Sequence, residues 1–208
     1  NPKAKDAPVA ILCAQKHLSP DESQRKKPDQ SVIKSQKLIE KIILSARQAN
    51  LSRTVFNEGI INKEELTREE AQRKVKKVKW FGNAIAHVKT KLGEDIDIYG
   101  YEDVYLAYKT AIELERGDRK SLLPRMTAIN IWIARNIASG MERTQDEIVH
   151  VVLGKLHEDW GSYGDKHPLP ISELLAYEGF NVIVVDTDPD YDLGAEFRMA
   201  EAGRKQIK

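Results

Sequence analysis

A chain of 208 residues, 41% hydrophobic and 31% charged, is long enough to bury a core without covalent staples, and it holds no apolar run near the roughly 18 to 20 residues that span a bilayer. Cys13 is the only cysteine, which excludes an internal disulfide and paired-thiolate metal sites. With no signal-peptide pattern at the start, the expectation is a soluble, cytoplasmic protein. The net charge of +1 conceals a split: 20 Lys/Arg against 10 Asp/Glu over Asn1–Leu92, then 13 against 22 over Gly93–Lys208, an excess of +10 followed by −9.

In chain order, residues 1–29 carry four prolines and a polar run and read as a flexible arm, with only Val9–Cys13 apolar enough for a short strand or helical turn. Ile33, Ile39, Ile42, Ile43 and Ala46 recur at helical spacing and predict a helix over about Gln30–Asn50. Ser52–Ile61 reads as a helical or irregular link. Thr67-Arg68-Glu69-Glu70 is a capping box opening a helix that runs to Leu92, with Gly93 as its stop. Acid alternating with isoleucine over Asp95–Ile98 predicts a short extended link. Helices follow at Tyr101–Arg116, Leu123–Ser139 and, from a second capping box at Thr144, to His157, with a strand as the alternative over the β-branched run Ile148–Val152. After a turn-rich loop come a short helix at Ile171–Glu178 closed by Gly179, a buried strand at Asn181–Asp186, and Gly194–Ala200 as its hairpin partner. The expected fold is α+β and mainly α-helical. A helical body over 30–157, basic to about residue 92, carries a small acidic α/β cap with one hairpin over 158–208.

Four constellations bear on chemistry. Asp186-Thr187-Asp188-Pro189-Asp190-Tyr191-Asp192 follows an apolar strand, where oxygen ligands hold Mg²⁺ in many enzymes. This strand with Asp-x-Asp resembles the first motif of haloacid-dehalogenase-type phosphatases and the metal motif of some glycosyltransferases. With Leu174–Phe180 before it, it is similar to the second strand of partition-type ATPases. Such resemblances imply Mg²⁺ on Asp186 and Asp188, yet no Gly-rich Lys-Ser/Thr phosphate loop precedes the strand, and a solvated turn of Asp and Pro is the competing assignment. Glu147-x-x-His150 is half of a bundle di-iron motif without its second copy; on a helix, His150 and His157 share a face. Asp159–Gly164 resembles the ligand loop of cobalamin domains but places Gly161 where that family has its cobalt-ligating histidine. Lastly, Arg73, Lys74, Lys76, Lys77 and Lys79, with Lys34, Lys37 and Lys41, form basic helical surfaces suited to tracking phosphates. A winged helix has the right element order at the end of the chain, but Glu158–Glu201 carries two cations against 11 acids and would repel phosphate.

The expected function is therefore nucleic-acid association through these eight cations, without catalysis and without a cofactor. The alternative is a protein-interaction or homo-oligomeric assembly module pairing acidic and basic halves. A Mg²⁺-dependent enzyme at Asp186 and Asp188 is third. Salt response of nucleic-acid binding against salt response of self-association separates the first two.

Overall fold

In the computed structural model of the chain, the described residues are 7–15, 30–61, 64–77, 83–103, 105, 119–144, 146–158 and 168–187. They form strands β1 (Val9–Gln15), β2 (Thr54–Ile61), β3 (Asp97–Glu102), β4 (Ile148–Gly154) and β5 (Asn181–Asp186). The helices among them are α1 (Gln30–Gln48), α2 (Arg68–Lys77), α3 (Ala84–Leu92), α4 (Arg119–Met141) and α5 (Ile171–Tyr177). The strands make one parallel sheet in the order β3-β2-β4-β1-β5, so the fold is α/β. This corrects the expectation of a mainly helical α+β protein capped by a hairpin.

Three segments account for the difference. Val9–Gln15, assigned to an arm, is β1, inside the sheet between β4 and β5. Ser52–Ile61, assigned to a link, supplies β2. Ile148–Gly154, assigned to a helix, is β4, where β-branched residues interrupted by His150 fit a pleated surface buried on both faces. The strand at Asn181–Asp186 and the helix at Ile171–Tyr177 lie where expected, but β5 pairs parallel to β1. Its expected hairpin partner, Gly194–Ala200, lies outside the described residues, as does most of the helix expected over Tyr101–Arg116, whose first two residues belong to β3.

Alternation along the strands builds two cores. Ala10, Leu12, Phe56, Val149, Val151 and Leu153 face α4 and α5, meeting Met126, Ile133, Ile137, Ile171 and Leu175. Cys13, Val55, Ile98 and Val152 face the opposite layer, meeting Ile39 and Ile43 of α1, Ala71 of α2, and Ile85 and Val88 of α3. Gly140 lets α4 approach β2: a Cβ there would lie 2.6 Å from the Phe56 ring. The amino ends of β2 and β4 are tied by Asp146, whose carboxylate accepts the backbone N–H groups of Arg53 and Thr54 at 2.7 and 2.6 Å.

Candidate functional site at the carboxyl end of the sheet

After β1 the chain crosses by way of α1 to β2, then reaches β3 at one edge. After β4 it crosses by way of α5 to β5 at the other edge. The adjacent strands β1 and β4 thus send their connections in opposite directions and onto opposite faces. In open α/β sheets the ligand crevice lies at such a point, outside the carboxyl ends of the two strands, marked here by Gln15 and Gly154, which are partners in register.

Polar side chains line both sides. Toward α1, Gln36 Nε2 donates to Gln15 Oε1 at 2.7 Å while its Oε1 accepts the N–H of Ala84 at 2.8 Å. Thr187 Oγ1 donates to the Ala14 carbonyl at 2.7 Å and so accepts from Ser35 Oγ at 2.5 Å. All four side chains are buried. Between the walls, Lys155 is 5% exposed and reaches Asp186 Oδ2 at 2.9 Å. Toward α4, Glu58 leaves β2 and accepts the N–H of Gly154. His157, in the single 3-10 turn after β4, lies between Glu58 and Asn130 of α4: Nε2 is 3.5 Å from Glu58 Oε1, and Nδ1 is 2.7 Å from Asn130 Oδ1. Glu158 accepts the N–H and hydroxyl of Ser172 at 3.0 and 2.5 Å, closing the start of α5. Tyr101 adds a buried phenol that donates to the Val152 carbonyl at 3.0 Å. Burial first, then the Glu58 and Glu102 carboxylates, push its ionisation well above the ordinary tyrosine value.

The expected site residues fall elsewhere. Arg73, Lys74, Lys76 and Lys77 are exposed on α2, and Lys34, Lys37 and Lys41 are exposed on α1; Lys79 lies outside the described residues. The helix expected to run from Thr67 to Leu92 is two helices, with Asn83 capping α3 through the Ala86 N–H. Two cations at its end have partners within the chain: Lys89, 1% exposed, holds Glu65 and the Ile96 carbonyl, and the exposed Lys91 pairs with Glu40 at 2.6 Å. Asp186 stands at the end of β5 but bonds an ammonium, Asp188 lies outside the described residues, and no His/Cys/Asp/Glu group able to hold a metal occurs among the described residues. His150 and His157 do not share a helix face: His150 is buried within β4, bonded to Ser52. Burial pushes the Cys13 thiol up to about 12, as befits an inert core residue.

Sequence patterns pass over Glu58, Asn130 and Lys155, because no local motif contains them, and they single out His157 only as a helical partner of His150. The only available signal is positional: polar residues directly after buried apolar runs, as in Val151-Val152-Leu153-Gly154-Lys155. The fold is an open, doubly wound α/β sheet with a topological switch point between β1 and β4. The chain matches no protein-family model, no curated protein and no solved structure. No helix among the described residues is long and apolar enough to cross a membrane.

Proposed function

We propose that the protein binds a small hydroxylated ligand, of sugar or nucleoside type, in the crevice above β1 and β4. The observation that carries this is the placing of two charged pairs, Glu58–His157 and Lys155–Asp186, from three strands, at the carboxyl end of the sheet by its switch point. Charged groups this sheltered cost stability unless they serve a function or are fully paired, and they cluster where ligands are handled. Three carboxylates (Glu58, Glu158 and Asp186) stand against one ammonium and one imidazole among these groups. That balance favours a ligand rich in hydroxyl donors over a polyphosphate. Titration calorimetry with ribose, adenosine and adenosine monophosphate tests it. Adenosine or ribose should bind with Kd below about 1 mM and lose at least tenfold in Glu58→Gln; no heat from any of the three would refute it.

A second reading keeps the cationic surface. The helices α1, α3 and α2 form one layer on the same face of the sheet, and the seven described cations assigned to phosphate contact are exposed on it. This supports sequence-independent contact with a nucleic-acid backbone. Lys76→Glu with Lys77→Glu should abolish most low-salt affinity for a fluorescent oligonucleotide while leaving melting unchanged. Wild-type protein that shows no anisotropy change at about 50 mM salt removes the reading. A fall in mass by light scattering for the charge-reversed chain would point instead to pairing between copies.

A further inference from the structure

The carboxamide of Asn130 is oriented by the backbone. Its Nδ2 donates to the carbonyls of His157 and Leu169 at 3.0 and 2.8 Å, so both amide hydrogens are committed and Oδ1 faces the imidazole. That oxygen only accepts, and it lies 2.7 Å from Nδ1, so Nδ1 carries a hydrogen. The opposite nitrogen, Nε2, faces Glu58 Oε1 at 3.5 Å. An imidazole protonated at Nδ1 presents a lone pair there, and a carboxylate also presents lone pairs. A hydrogen on Nε2 would turn this approach into an attraction between imidazolium and carboxylate. The second Glu58 oxygen is held by the Gly154 N–H, and the two side chains keep 18% and 10% of their surface open, sheltered yet reachable from the crevice.

We propose that Glu58 and His157 form a proton-transfer dyad, with Asn130 as its positioning residue, that protonates an oxygen or nitrogen atom of the bound ligand. The class of ligand served is one whose bond breaks to release an alkoxide or a nitrogen anion, groups that depart far more readily with a proton. The Nε2–H bond breaks as Oε1–H forms, the electron pair remaining on Nε2. The Glu58 acid then transfers this proton to the lone pair of the ligand atom and returns to carboxylate, and a proton from solvent restores Nε2–H. The separation is 3.5 Å, and the transfer requires it to shorten in the ligand complex, as catalytic contacts do. The ligand's identity rests on the binding function proposed above; the hydrogen count of the dyad does not.

Long-range proton–nitrogen correlation spectra of the full histidine-labelled chain read that count directly, with His157→Gln assigning the signal among the five histidines. In the wild type, His157 should carry hydrogen on both ring nitrogens. In Glu58→Gln, whose amide can itself donate to Nε2, it should keep hydrogen on Nδ1 and lose it from Nε2. Asn130→Leu should lose the preference for Nδ1. Should that buried variant not fold, Glu58→Gln decides alone. Hydrogen on Nε2 only in the wild type, or identical spectra for wild type and Glu58→Gln, would overturn the dyad. The expected spectra in a protein that binds none of the sugar and nucleoside probes would instead overturn the ligand assignment.

Discussion

A histidine enclosed in a sheet core must give up either its charge or its burial, and His150 gives up its charge. It is 1% exposed, and its Nδ1 lies 3.2 Å from Ser52 Oγ, which itself donates to the Thr54 carbonyl and therefore accepts from the ring. Nε2 is left as a bare acceptor with no partner among the described residues. Burial pushes its ionisation down from 6.5 to about 4, only weakly opposed by Asp146. Because the unfolded chain takes up the proton more readily than the folded one, stability is complete above pH 6.5 and falls as pH drops toward 4. The loss across that window should approach about 3 kcal/mol. Urea unfolding at a series of pH values should show it, and His150→Val should flatten the part above pH 5; an unchanged slope in the variant would show that other groups dominate. At this scale sequence patterns mislead in an instructive way. Glu147-x-x-His150 has helical ligand spacing, and only strand pairing turns His150 inward, between Ile11 and Val55.

Among the elements, helices with local start signals are legible. Thr67 and Glu70 close a reciprocal cap: the Glu70 N–H donates to Thr67 Oγ1 at 3.3 Å, and the Thr67 N–H and hydroxyl donate to Glu70 Oε2 at 3.1 Å. These donors hold the Glu70 carboxyl below its ordinary value. Thr67→Ala removes the hydroxyl, and with it the bonds to the Glu70 N–H and to Oε2, at a surface position; it leaves the backbone donor in place and should cost about 1 kcal/mol in thermal or denaturant unfolding, with α2 itself still formed. No measurable change would mean the turn is held by packing of Leu66 and Ala71 instead. Gly93 ends α3 at φ +57° and Gly179 follows α5 at φ +100°, both as their sequence positions indicate. Strands are less legible. A parallel strand buried on both faces is a short apolar run, and a buried helical turn has the same composition. Thr54–Ile61 lacks even that run, because Asn57 and Glu58 interrupt it at the point where β2 reaches the crevice.

For the molecule as a whole, the inner strands should be the last to open. β1 is bonded by β4 and β5, β4 by β1 and β2, and β2 by β3 and, over three residues only, by β4, whereas β3 and β5 each have one strand neighbour among the described residues. Hydrogen exchange followed by mass spectrometry should therefore be slowest in peptides covering Val9–Gln15 and Ile148–Gly154. Exchange from Val9–Gln15 as fast as from β5 would contradict its central place. From sequence alone come the single cysteine, the charge split, the helix at Gln30–Gln48, the capping box, the glycine stops and the strand at Asn181–Asp186, because caps, turns and period are written within a few residues of one another. Strand order, the placing of Val9–Gln15 inside the sheet, the meeting of Glu58, His157 and Asn130, and that of Lys155 with Asp186 were decided only in three dimensions. Parallel pairing joins residues far apart in the chain, so which polar side chains share the crevice follows from strand order, and no local window of residues contains that order.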